Sequence, residues 1–360
     1  SSSQCRSSTI TASLTISPAF RLKACPAVET GLVCIATKPE VPEAERGPMQ
    51  RPEPWHGHCQ LHFNRDASGR SLHQGGCSAP FKLMRAETGD DGRCELPLLH
   101  TAGGLVGGDQ LSIDLRLHSG TRSLITSVAA QKVYGSIGRS RIQPAGSWAH
   151  QEVRARLSDR CDLEWVPQEL VLYADALYEQ HLNVILPENA SFFSTEIVRL
   201  GRTAAGEQLN RGRWRSELTI ERSGPSQPRW EFVDRLEVGS DSLHSLHGLN
   251  SAPVFGTLVW AAPMPINPQQ QDDLLQQARA ARSGLKGAMR CGSLDQGLVA
   301  RYVGHSSRDA RFWFSRIWAQ TRLLRSLCRP SIPRVWPLQE DPLSTQTFTT
   351  NPIPAATATH

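Results

Sequence analysis

The chain has 360 residues, with 39 Lys or Arg against 34 Asp or Glu and a net charge of +5. No run of 18 apolar residues occurs, which excludes a membrane-spanning helix, and the basic surplus is too slight and scattered for a nucleic-acid-binding tail. Nine cysteines, an odd number without a C-x-x-C pair, fit neither a zinc or redox motif nor a secreted disulfide framework, and point to a reducing, cytoplasmic compartment.

Residues 1–54 stand apart. They are rich in Ser, Thr and Pro, and the first acid, Glu29, follows Arg6, Arg21 and Lys23. A transit peptide has this composition, but without a sustained apolar period the segment is expected to be a disordered leader, or a start assigned too far upstream. A proline-rich linker ends it at Trp55. From there to about Leu243 the dominant period is two. Trp55, Cys59, Leu61 and Phe63 fall on one face, and His56, His58, Gln60 and His62 on the other, which predicts a half-buried strand.

Residues 99–111 read Leu-His-Thr-Ala-Gly-Gly-Leu-Val-Gly-Gly-Asp-Gln-Leu. Two glycine pairs predict two sharp bends around a short buried piece, Leu105-Val106, with Asp109 presented at a fixed point. Neither a P-loop nor a G-x-G-x-x-G fingerprint is present. Alternation resumes at Leu111–His118 and Leu218–Glu221. Short apolar runs at 124–126, 163–166, 170–173 and 183–186 complete a mostly β pattern without βαβ alternation. Late in the chain the period changes. Asn267-Pro268 reads as an N-cap followed by proline at the first helical position, predicting a helix over 269–282. A second helix is predicted over 308–327, with Phe314, Ile317, Trp318, Leu324 and Leu327 as its apolar stripe. Residues 276–335 carry twelve Lys or Arg against Asp295 and Asp309. Such a run reads either as a solvated face or as a surface for an acidic partner.

Six segments occur in the order found in one protein family: Ala79–Leu83, Pro97–Asp109, Ala129–Tyr134, Leu163–Glu169, Leu200–Glu207 and Arg334–Trp336. The chain resembles the urease accessory proteins UreD (UreH) over residues 55–337. Residues 338–360 are left as an expected disordered tail. The resemblance implies a mainly β fold, an elongated, stacked or helical arrangement of short strands with two helices near the C-terminus. It implies a non-enzymatic metallochaperone scaffold that acts with UreF, the GTPase UreG and urease apoprotein. It also implies that Ni²⁺ crosses the protein transiently, with no permanently bound cofactor and no nucleic-acid or membrane partner.

Oxygen and imidazole donors hold Ni²⁺ loosely enough to release it. The candidates for its passage are Asp109, Glu164, Glu169, Glu196 and Glu207, with Asp109 first; its alternative role is a turn cap taking backbone N–H groups. His56 and His58, about 6.7 Å apart on one strand face, form a possible chelating pair, or simply a polar face. His100 reads as a hydrogen-bonded structural histidine. Two other classes remain open: an enzyme using Glu164 and Glu169 as paired carboxylates, which requires a separation of roughly 5–9.5 Å, and a structural adaptor that binds an acidic partner through its basic C-terminal helices.

Overall fold

The computed structural model describes residues 54–224, 227–338 and 340–344. The expected leader, up to residue 53, and the expected tail from residue 345 lie outside the described residues. Strands come first: β1 (His56–Arg65), β2 (Ser71–Cys77), β3 (Phe81–Leu83), β4 (Glu87–Thr88), β5 (Cys94–His100) and β6 (Gln110–Leu117). Then come β7 (Arg122–Ser127), β8 (Gln131–Val133), β9 (Ala149–Leu157), β10 (Asp162–Trp165), β11 (Leu170–Leu172) and β12 (Leu177–Pro187). The series closes with β13 (Ser191–Leu200), β14 (Arg213–Ser223), β15 (Arg229–Gly239), β16 (Val254–Ala261), β17 (Ala288–Leu294) and β18 (Gly297–Gly304). Three helices interleave with the last strands: α1 (Ser240–His244), α2 (Pro268–Ala280) and α3 (Ser307–Leu324).

The strands form two sheets. A seven-stranded outer sheet runs β15-β14-β12-β9-β6-β1-β2, and an eleven-stranded inner sheet follows the path β17-β18-β16-β13-β10-β7-β5-β3. From β5 to β14, β8 and β11 aside, the chain passes repeatedly between the sheets, so each new strand lies parallel to the previous strand of its own sheet. Parallel neighbours usually need a helical crossover; here the crossover is a strand of the opposite sheet. Alternation explains the outer sheet, with Cys59, Leu61 and Phe63 of β1 and Leu111, Ile113, Leu115 and Leu117 of β6 buried against the inner sheet. The histidine face of β1 points to solvent, as its period of two requires.

The inner sheet is buried on both faces. Phe192, Val198 and Val259 meet the outer sheet, while Phe193, Ile197, Leu258 and Trp260 meet the helices. α2 starts as its sequence predicts, with Asn267 Oδ1 accepting from the Gln270 N–H at 2.8 Å. Ser306 caps α3 in the same way, accepting from the Asp309 N–H at 3.1 Å. The apolar stripe of α3 is buried, but the helix stops at Leu324 rather than Leu327. Ser326 turns left-handed at φ 57°, Leu327 N–H donates to Arg322 O at 2.9 Å and Ser326 N–H to Leu323 O at 3.0 Å. That is a Schellman ending with serine where glycine is usual. The short helix α1 carries no signal that the period reading detects.

The basic run divides: Arg279, Lys286, Arg290, Arg308, Arg329 and Arg334 are exposed, as a solvated face requires, while the arginines farther along α3 turn inward. Arg311, Arg316 and Arg322 are buried on the helix, and Arg325 follows them into the interior. Arg316 donates to the carbonyls of Ala281, Ser283 and Pro342, which packs the residues after 340 against α3. Among the described residues, no helix is long and apolar enough to cross a membrane.

Candidate functional site

The glycine stretch folds as a tight loop between β5 and β6. Gly103 and Gly108 adopt φ of 73° and 102°, a region that glycine enters without penalty. Gly107 is required for space: a Cβ there would lie 2.6 Å from Ser147 O. Leu105 is fully buried and its N–H donates to Lys132 O at 2.8 Å, but Val106 is exposed, so only half of the expected buried piece is inside. Asp109 is buried and closes the loop. Its Oδ1 accepts from the Trp55 N–H at 3.0 Å and its Oδ2 from the Val106 N–H at 2.9 Å. The carboxylate therefore ties the loop to the start of β1, the turn-cap geometry.

Beneath this loop a cavity of about 430 Å³ lies between the two sheets. Exposed Gly103, Ala129 and Lys132 mark its mouth. Ile113, Gln151, Tyr178 and Gln180 line it from the outer sheet, and Ile125, Trp165 and Glu196 from the inner. A second hollow of about 90 Å³ adjoins it, sharing Gln180 and Glu196 and continuing to Ser216, Asp234 and Thr257. Glu196 thus stands where the two spaces meet.

Glu196 is the one of the five carboxylates named above that lines this cavity. Gln180 Nε2 donates to its Oε1. Burial pushes its pKa up from 4.5 to about 8; Asp234 adds to the rise, and Arg301 and a hydrogen bond with Ser216 oppose it. Arg301 is itself held by Asp234 at 2.6 Å. His100, in the cavity wall, is not the hydrogen-bonded structural histidine that was expected: both ring nitrogens are out of solvent contact and have no hydrogen-bond partner among the described residues. Burial lowers its pKa, with Asp109 opposing, so the ring is neutral at pH 7 with a lone pair available.

The other carboxylates are engaged elsewhere. Glu164 is fully buried on the helix side of the inner sheet, where Trp318 Nε1 donates at 2.8 Å, Arg322 Nη2 at 2.5 Å and Arg325 Nη2 at 3.0 Å. Arg93 Nη1 lies 3.4 Å from it. Burial opposes ionisation there, but the guanidinium groups of Arg93, Arg322 and Arg325 outweigh it and hold the carboxyl well below the usual range. Glu169 accepts from Arg311 at 3.2 Å. Glu207 accepts from the Ala174 N–H at 2.8 Å and from Arg202, anchoring the loop after a single 3₁₀ turn. Glu164 and Glu169 are therefore each committed to arginines of α3 or its end, and no paired-carboxylate cleft forms between them.

His56 and His58 are exposed and share a shallow surface groove with His150, Glu152, Glu179 and His181. His58 Nδ1 lies 2.8 Å from Ser112 Oγ, and His181 Nε2 lies 2.9 Å from Glu179 Oε1. Among the described residues, no three His, Cys, Asp or Glu side chains converge to hold a metal ion. Gln180, Ser216, Asp234 and Thr257, which belong to no chemical motif in the sequence, converge with Glu196. Each interrupts an apolar i, i+2 series at an inward position, as Gln180 does between Tyr178 and Leu182, and that interruption is the signal that marks them.

The family described as UreD urease accessory protein matches residues 56–337. A protein named urease accessory protein UreD from Parasynechococcus marenigrum (strain WH8102) is 69% identical over 312 residues, covering 87% of this chain and 100% of that protein. Proteins of the same name from Synechococcus sp. (strain WH7805) and Prochlorococcus marinus (strain NATL1A) are 65% and 48% identical. They cover 87% and 80% of this chain, and 100% and 96% of their own lengths.

Proposed function

Since the chain belongs to the UreD family of urease accessory proteins, with a role in urease maturation, we propose that it conducts Ni²⁺ toward urease apoprotein through the cavity between its two sheets. It does so in the cytoplasm, as a non-catalytic member of a complex with UreF and the GTPase UreG. The observation that supports this reading is a pair of adjoining hollows, with an unpartnered neutral imidazole, His100, in the wall of the first and an ionisable carboxylate, Glu196, lining both. Both are donors that Ni²⁺ accepts and leaves. They sit singly rather than as a closed set of ligands, which suits passage rather than storage. Glu196 gives up its proton when a cation arrives, so its high pKa keeps the empty junction neutral. In this reading Asp109 acts by holding the mouth in shape, and Glu164, Glu169 and Glu207 by holding the walls.

The test co-expresses urease and its accessory proteins with either Glu196→Gln or His100→Ala. Nickel per purified urease should fall severalfold with each, while the accessory complex co-purifies in wild-type proportion. Wild-type nickel content with both variants would refute conduction through this cavity.

A further inference from the structure

On the outer face of the seven-stranded sheet, charge is matched row by row along most of the strands. Arg215 meets Glu179 and Glu237, Arg235 meets Glu217, and Arg154 meets Asp114 and Glu152. The row nearest the turns that follow β1, β6 and β9 breaks the pattern: it reads His62, Arg116, Arg156 on adjacent parallel strands. Both guanidinium groups are exposed, and neither has a carboxylate within 4.0 Å among the described residues. Like charges directly opposed across a sheet destabilise it, so the fold gains nothing from this pair.

The patch continues round the corner. Arg65 and Arg160, also exposed and without an acidic partner among the described residues, line a hollow of about 260 Å³ with Arg122. Arg122 lies 3.9 Å from Asp91. The turn is firmly set: Arg160 holds φ 55° and its N–H donates to Asn189 Oδ1 at 3.2 Å. Two acids lie in these turns, Asp66, held by Arg70 at 2.9 Å, and Asp159 beside Arg160.

We propose that this corner docks an acidic segment of a protein partner, whose carboxylates complete the row left unmatched at Arg116 and Arg156. A protein suits it better than a nucleic acid. Asp114 and Glu152 bound the patch along the strands, and Glu221 lies two strands beyond Arg156 in the same row. Interrupted charge of this kind complements a mixed protein face and breaks the continuous track that a phosphodiester backbone follows. The arginines of α3 offer no competing surface: Arg311, Arg316 and Arg322 are buried, and the exposed Arg308 is held by Asp309 and Glu340. The inference is independent of nickel and holds whether or not the cavity carries a cation.

The test uses the full chain and fluorescence anisotropy, with a labelled oligoglutamate peptide and an oligothymidylate of equal charge as probes. Wild-type protein should bind the peptide at about 50 mM salt and lose it at about 300 mM, where the screening length has shrunk by more than half. Arg116→Ser/Arg156→Ser should weaken peptide binding about tenfold, a 1.4 kcal/mol change. Arg116→Lys/Arg156→Lys should retain most of it, and Arg85→Ser/Arg290→Ser, which removes exposed arginines elsewhere, should leave it unchanged. Because the serine pair removes a repulsion, its melting temperature should not fall below wild type. Equal loss in the Arg85/Arg290 control, no loss in the serine pair, or tighter binding of oligothymidylate than of peptide would overturn the proposal.

Discussion

Glu196 and Glu164 show how two buried glutamates on neighbouring strands acquire opposite characters. Glu196 faces a space with one cation, Arg301, already shared with Asp234, so desolvation wins and the proton stays on to about pH 8. An acid whose pKa is higher in the folded than in the unfolded state contributes stability below the unfolded value, and that contribution is lost as pH rises through the folded value. The chain should therefore lose stability between about pH 4.5 and pH 8 or a little above on this account, and Glu196→Gln should flatten that part of the profile by more than about 1 kcal/mol. Thermal melts of both proteins across this range test it; parallel profiles would show that Glu196 does not hold its proton. Both glutamates were legible as candidates, Glu164 inside one of the six segments and Glu196 outside them, just before Leu200–Glu207. Their ranking was not, because i, i+2 spacing says which face a side chain takes but not whether arginines or a cavity lie opposite.

The hub under α3 decides how the helix is attached. Glu164 and Asp162 of β10 meet Arg322 and Arg325 at the end of α3, and Arg93 reaches both carboxylates from the strand start at β5. Removing one partner of a buried pair leaves a charge unmatched, at a cost of about 3–5 kcal/mol. Glu164→Gln should therefore lower urea-unfolding stability by an amount in that range, whereas Glu217→Gln, on the exposed face, should change it by less than about 1 kcal/mol. Similar effects of the two would show that the hub is not the attachment point. α2 and α3 could be read from caps and period within a few residues, whereas the uncapped five-residue α1 could not. The fate of their arginines could not, because a run of basic residues is equally compatible with water and with carboxylates from strands far away in sequence.

At the scale of the whole molecule, the β class was legible from alternation, but the parallel stacking was not. Alternation assigns faces; it does not name neighbours. The partners turn out to be remote: His58 and Ser112 are 54 residues apart, and Asp114 and Arg154 are 40. Contacts this non-local slow folding. They also bear on how the chain comes apart. The turn carrying exposed Arg141 and Ile142 lies between β8 and β9, and strands before it pair with strands after it, β6 with β9, β7 with β10 and β8 with β11. A protease site placed after Arg141 should give two fragments that elute together on gel filtration and separate only in denaturant; fragments that part under native conditions would show that the turn holds the layers together. Interleaved winding thus makes the backbone's continuity dispensable once folding is done. The particle behaves like a woven cord, in which a single cut strand leaves the weave, and any passage running through it, intact.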